Sequence, residues 1–298
     1  MSGKIYYLFA LLRPANIITA ISDILAGVAI SGILIHQYQD YPLLLHVLLL
    51  VISTSGLYGG GIVFNDVFDL ESDMISRPER ILPRHLVSKK EAVILGIFMF
   101  AVGIISAFSV SVLSGFLALS ICILALFYNK VSKYYFFAGS LNMGLCRGFN
   151  LLLGISIINN EVWSNGLIAI ISTLFITGVT FISKKENHGN NKKVILSTFL
   201  LDFLLIFLYT FIGNLIGLKI LNLLPLLFCW LAVNFLAKLL AIRFNQPDYI
   251  KIAVKTGVLS LILLNASYIA GSTDLLHALP VLILLPLSTT LSKKFAVT

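Results

Sequence analysis

The stretch Phe64–Arg80 reads FNDVFDLESDMISRPER. It places four acids, Asp66, Asp69, Glu71 and Asp73, within eight residues at the end of an apolar run. The chain has only 13 Asp plus Glu, so nearly a third of its negative charge sits here. Charge gathered beside apolar surface is costly unless something compensates it. On a helix Asp66, Asp69 and Asp73 fall at i, i+3 and i+7, and Asn65 precedes Asp69 by four. Residues three and four apart are surface neighbours. One face thus presents Asn65, Asp66, Asp69 and Asp73, while Glu71 points elsewhere, toward solvent. All four are oxygen donors, with no His or Cys among them. Such a set suits Mg²⁺, which takes a few carboxylates together with waters and phosphate oxygens. Arg77 and Arg80 follow at once and suit a diphosphate that carries metal. The alternative is a solvated acidic helix end.

Composition fixes the surroundings of this cluster. The 298 residues are 58% hydrophobic and 11% charged, with mean hydropathy +0.99. Soluble domains are about half apolar and a quarter charged, so the chain reads as a polytopic membrane protein. The first apolar run, near Ile17, lacks a small-residue cleavage pattern, and no cleaved signal peptide is expected. Cys122, Cys146 and Cys229 are far apart in apolar runs and match no metal or redox spacing. They read as small core residues.

A helix crossing the bilayer core needs roughly 20 apolar residues. Ten stretches qualify: 17–35, 43–64, 92–112, 114–128, 136–158, 164–182, 194–217, 220–242, 252–271 and 275–292. The short 114–128 and the last, with Pro280 and Pro286, leave the count at nine or ten. With the N-terminus inside, 18 of the 21 Lys and Arg fall in inside segments. The exceptions are Arg147, Lys219 and Lys238. Cytoplasmic loops collect Lys and Arg, so this split supports the orientation. It also assigns the net charge of +8 to membrane orientation and an anionic leaflet rather than to nucleic acid. The long inside loops, 65–91 and 183–193, put the working face on the cytoplasmic side. The expected location is the inner membrane of a bacterial cell.

The motif NDVFDLESD followed by RPERILP resembles the first aspartate-rich motif of the UbiA superfamily of membrane prenyltransferases. LRPANIITA, with Arg13, Pro14 and Asn16, resembles that family's first-span signature. FYNKVSK (127–133), with Tyr128 and Lys130, resembles the stretch after its fourth span. Within the superfamily the sequence most resembles the UbiA-like EboC proteins. The resemblance runs from about residue 10 to about residue 270. It implies an all-α bundle of nine spans around a central cavity, forming one domain over 1–298, with 275–292 as an addition. It also implies a prenyl diphosphate donor held through Mg²⁺ by Asn65, Asp66, Asp69 and Asp73, and an acceptor the sequence does not identify. Ile81 follows Arg80 where the family often has proline.

The loop SKKENHGNNKK (183–193) occupies the place of the family's second aspartate-rich motif, which offers two aspartates four apart. Glu186 and Asn190 stand at the matching positions and are expected to act as further metal ligands. Only one keeps a carboxylate. Lys184, Lys185, Lys192 and Lys193 surround the pair and oppose a cation, but suit phosphate oxygens. His188 reads as a loop residue.

Ionisable groups within spans are functional hypotheses by default. Arg147 lies midway along the fifth span with Asn150 on its face, and Asp23 is the natural acid to pair with it. Arg147 and Asn150 line the cavity and touch substrate on one reading, and form a structural polar pair on the other. Asp202 and Lys238 are partners, or snorkel to the interface. The reading that unites these residues is prenyl transfer. Asp66 and Asp69 hold the metal-bound diphosphate, and Arg77 and Lys130 neutralise the leaving group. Asn16, Asn65, Arg80, Lys184, Arg147 and Asn150 bind substrate, and an apolar cavity excludes water from the allylic cation. Two other classes compete: a non-catalytic binder of a lipid diphosphate, and a transporter using Arg147, Asp23 and Asp202. A phosphoalcohol transferase would need a DG-x₂-AR signature that the sequence lacks.

Overall fold

The computed structural model describes residues 3–35, 42–184, 186 and 189–294. Among them every regular element is helical. In chain order they are α1 (Gly3–Leu11), α2 (Pro14–Ile30), α3 (Leu43–Phe68), α4 (Leu70–Ser76), α5 (Lys89–Phe108), α6 (Val112–Lys130) and α7 (Phe136–Ile155). Then come α8 (Asn159–Asn165), α9 (Ala169–Ser183), α10 (Lys192–Leu215), α11 (Ile220–Phe244), α12 (Pro247–Ser272), α13 (Leu275–Leu282) and α14 (Leu284–Lys294). Among the described residues eight helical stretches are long and apolar enough to cross a membrane, and α1 with α2 makes a ninth if that bent pair is one span. All ten stretches expected from hydropathy are helical in whole or large part.

Three details differ from expectation. The first span begins at Pro14, not Ile17, because proline fits the first helical turn, where its missing N–H costs nothing. It ends at Ile30, where Gly32 at φ 75° turns the chain. The short sixth helix gains a turn and runs 19 residues, its N-terminus capped by Ser111. α7, at 20 residues, is not among the spans long and apolar enough to cross. It carries Asn142, Arg147, Asn150 and four glycines, and it is packed between α2, α6 and α9. Its polar groups meet protein rather than lipid.

Close approach of α2 to α7 rests on Gly27 and Gly154. A Cβ on Gly27 would lie 2.5 Å from the Leu151 carbonyl oxygen, and one on Gly154 would lie 2.6 Å from that of Ile24. Small residues let helix backbones meet within a membrane. Gly27→Ala and Gly154→Ala are each expected to destabilise the protein by about 1–3 kcal/mol. Gly61→Ala, whose Cβ would meet only Ala125 at 3.4 Å, should not. Thermal unfolding in detergent reads the difference.

Apolar side chains fill the bundle and also cover its outside. Trp230, Tyr209, Tyr268 and Phe175 are fully enclosed, while Ile97, Phe98, Ile105, Phe203, Phe207 and Phe211 are exposed. So much exposed apolar surface suits hydrocarbon as solvent, where helices satisfy their own backbone groups. The molecule is an all-helical polytopic membrane protein. A buried ion pair joins α10 to α11: Lys238 Nζ donates to both oxygens of Asp202 (2.8 and 2.7 Å) and to the Thr198 carbonyl (3.2 Å). The partnership expected of Asp202 and Lys238 is thus internal, and neither side chain reaches the interface.

Candidate active site

The helical ladder runs nearly unbroken through the acid cluster. The Asp69 N–H donates to the Asn65 carbonyl (3.0 Å) and the Asp73 N–H to the Asp69 carbonyl (2.8 Å), although Asp69 itself separates α3 from α4. Asp66 and Asp73 are buried, Asp69 is half-buried and Glu71 is exposed. Every inward acid carries a basic partner. Arg13 Nη2 lies 2.6 Å from Asp66 Oδ1. Arg80 Nη1 reaches Asp73 Oδ2 at 2.7 Å and Asp66 Oδ1 at 3.4 Å. Lys133 pairs with Asp69. Arg13 adopts a left-handed backbone, φ 46°, at the 47° bend between α1 and α2. A non-glycine residue there is strained, and the strain directs its side chain onto Asp66.

The second polar loop reaches the same place. Lys184 Nζ donates to the Lys133 carbonyl, so Asp69, Lys133 and Lys184 form a chain from one loop to the other. Glu186 is half-buried. Burial raises its carboxyl above the usual range, and the positive charges of Lys251 and Arg77 oppose that rise. Burial likewise depresses the Lys184 ammonium. Asn190 does not join them. It sits at φ 51° in a non-helical turn, is exposed, and its side-chain oxygen accepts from Asn245 Nδ2 at 3.4 Å. The i, i+4 geometry expected for Glu186 and Asn190 requires a helix, and the described residues Glu186, Gly189 and Asn190 are not helical. Lys185 and His188 lie outside the described residues.

Below the acids lies a cavity of about 260 Å³ between α2, α3, α6 and α7. Arg13, Asn16, Asn65, Tyr128 and Asn129 give it a polar mouth; Leu57, Ile62, Ile121, Ala125 and Met143 give it a hydrocarbon wall. Asn129 holds the mouth together, donating to the Gly61 carbonyl (2.9 Å) and accepting from Asn65 Nδ2 (3.1 Å). The donor chemistry fits Mg²⁺. Among the described residues no three His, Cys, Asp or Glu side chains form a metal cage. Mg²⁺ does not ask for one, since it binds through one or two carboxylates plus phosphates and water.

A family model described as the UbiA prenyltransferase family matches residues 25–254. The chain belongs to this family. Among its UbiA relatives is a digeranylgeranylglyceryl phosphate synthase of Methanosarcina mazei, 31% identical over 192 residues, which are 62% of this chain and 65% of that protein. Another of the same name, from Methanothermobacter thermautotrophicus, is 27% identical over 177 residues, 59% of each chain. The chain thus matches somewhat less than two thirds of these relatives' length. Neither is named as an EboC protein. A solved structure of a digeranylgeranylglyceryl phosphate synthase has the same fold, with TM-score 0.68 at 22% identity over 90% of this chain and 98% of that one. So does a UbiA homologue from Archaeoglobus fulgidus bound to DMAPP and Mg²⁺, with TM-score 0.53 at 15% identity over 97% and 98%.

The UbiA fold brings together Asn16, Asn65, Asp66, Asp69, Asp73, Arg80 and Lys184 as the sequence led one to expect. Arg77 stands at the edge, near Glu186. Besides Asn190, three expected residues stand apart. Lys130 is exposed at the end of α6, and it is Lys133 that pairs with Asp69. Arg147 and Asn150 are committed to structure. Arg147 Nη1 donates to Asp23 Oδ2 (2.8 Å) and Nη2 to Thr19 Oγ1 (2.6 Å). Asn150 Nδ2 donates to Asp23 Oδ2 (3.0 Å) and to the Ala20 carbonyl (2.9 Å), and its oxygen accepts from Thr54 (2.8 Å). Asn265 Nδ2 completes the shell of Asp23 at 2.7 Å. Sequence reasoning missed Lys133, Asn129 and the ion-pairing of Arg13. Helical spacing does not mark Lys133: α6 ends at Lys130, and a short 3₁₀ turn, Ser132–Tyr134, swings the next lysine inward.

Proposed function

We propose that this protein is an intramembrane prenyltransferase with a Mg²⁺-bound prenyl diphosphate as donor. The observation that carries the proposal is the cavity, with Arg13, Asn16 and Asn65 at its mouth, Asp66 joined to them through Arg13, and hydrocarbon behind them. Asn65, Asp66, Asp69 and Asp73 hold Mg²⁺, with Glu186 as a further ligand. The ion neutralises charge on the diphosphate oxygens when bound. Arg13, Arg80 and Lys133 then exchange their carboxylates for phosphate oxygens, joined by Arg77 and Lys184. Together they stabilise the charge that develops as the allylic C–O bond breaks. The hydrocarbon wall keeps water from the resulting cation, so the acceptor attacks instead. The relatives' name describes two geranylgeranyl groups on a glyceryl phosphate, and supports an alcohol acceptor of prenylated-glycerol type. The mouth lies at the end of the bundle rich in Lys and Arg, which supports a cytoplasmic active face and an inside N-terminus.

Purified full-length protein incubated with radiolabelled geranylgeranyl diphosphate, Mg²⁺ and geranylgeranylglyceryl phosphate tests the reading directly. A doubly prenylated product supports it. Donor left intact, with Mg²⁺-dependent binding, favours a non-catalytic lipid-diphosphate binder. The loss of one carboxylate from the Glu186 loop is the feature favouring that second reading. In the same assay Lys133→Met is expected to lower kcat by about 10²-fold, the scale of losing one oriented group that stabilises transition-state charge. Lys130→Met should leave the rate near that of the parent.

A further inference from the structure

Tyr58 is a polar cavity residue that the transfer reaction described above does not use. It stands seven residues before Asn65 on α3, two turns or about 10 Å away along the helix and nearly on the same face. Leu57, Ile121, Met143 and Cys146 share this apolar end of the cavity. The Arg147 guanidinium carbon lies 4.7 Å from the Tyr58 ring centroid, and Asp23 and Thr19 fix that guanidinium. The ring is therefore held in place by cation–π contact. Thr54, one turn before it on α3, and Asn150, one turn after Arg147 on α7, are already hydrogen-bonded. The Tyr58 hydroxyl is buried and has no partner. Buried polar atoms are nearly always paired, so an orphan on a ring that lines a cavity points to a ligand.

The donor does not supply that partner. Its oxygens belong to the diphosphate at the mouth, and its chain is hydrocarbon. We infer that Tyr58 Oη binds the acceptor, pairing with a hydroxyl or ether oxygen of an otherwise lipid-like molecule. The inference rests on the transferase reading and names the residue that selects for oxygen in the acceptor. Tyr58→Phe tests it, because it removes one oxygen and keeps the ring over Arg147. The probes are 1-dodecanol and dodecane carrying the same photoactivatable diazirine, applied to full-length protein in detergent with Mg²⁺. Taking the ratio of the two labelling yields cancels their partition into micelles. That ratio is expected to fall about tenfold in the variant, the worth of one hydrogen bond in a buried site, while Mg²⁺-dependent binding of geranylgeranyl diphosphate stays unchanged. Intact diphosphate binding with the same ratio in both proteins overturns the acceptor assignment alone, as when a cavity water satisfies the hydroxyl. Absence of diphosphate binding in the parent overturns the transferase reading and the acceptor assignment with it.

Discussion

Replacing Asp66 or Asp69 with asparagine is expected to weaken Mg²⁺-dependent binding of geranylgeranyl diphosphate by about 100-fold or more, the scale of a lost charge-assisted contact in a desolvated site. Each substitution keeps the shape of the side chain and an oxygen for the metal, but removes the charge. Asp66→Asn also leaves Arg13 without its 2.6 Å partner, at a backbone position already strained. Asp69→Asn releases Lys133. Equilibrium binding of the labelled diphosphate in detergent, with Mg²⁺ and with EDTA, measures the loss. The bases remain, so Mg²⁺-independent binding should persist or rise. Variants that hold the diphosphate as the parent does would remove the metal from the proposed mechanism.

The second large effect concerns stability. Arg147→Leu is expected to destabilise the protein by about 3–5 kcal/mol, because removing one member of a buried pair strands the other. Asp23 is fully enclosed and takes hydrogen bonds from Arg147, Asn150 and Asn265. Without the guanidinium its charge has no counterpart in the membrane interior. The double variant Asp23→Leu with Arg147→Leu should recover much of the loss, since apolar replacements for a buried pair are often neutral. Unfolding temperatures in detergent for the two single variants and the double one decide it. An Arg147→Leu protein with the parent's stability would show that the network is not a structural pin.

The acid cluster was legible because its spacing and a helix's turn agree: i, i+3 and i+7 put three carboxylates on one face, and the ladder through Asp69 keeps them there. The Asp23–Arg147 partnership was also legible, since an intramembrane charge demands an opposite one. Its purpose was not. Whether a buried guanidinium touches ligand or protein depends on what surrounds it, and the surrounding Thr19, Asn150 and Asn265 come from three different helices. Asn190 and Lys130 show the same limit from another side. Asn190 was placed by helical i, i+4 spacing and Lys130 by its motif; the first lies beyond α9 and the second is the last residue of α6. A turn of three residues exchanges Lys130 for Lys133, and Asn190, itself left-handed and exposed, pairs with Asn245. Periodicity holds within an element and fails at its ends.

Arg13 belongs to two structures at once. Its backbone is the elbow between α1 and α2, and its side chain grips the first acid of the cavity mouth. α1 presents Ile5, Tyr6 and Phe9 on an outward apolar face and is tied to α5 through Lys4 and Glu91. Displacing this short segment would therefore shift the partner of Asp66 together with the packing of Leu11 on Val63 and Val67.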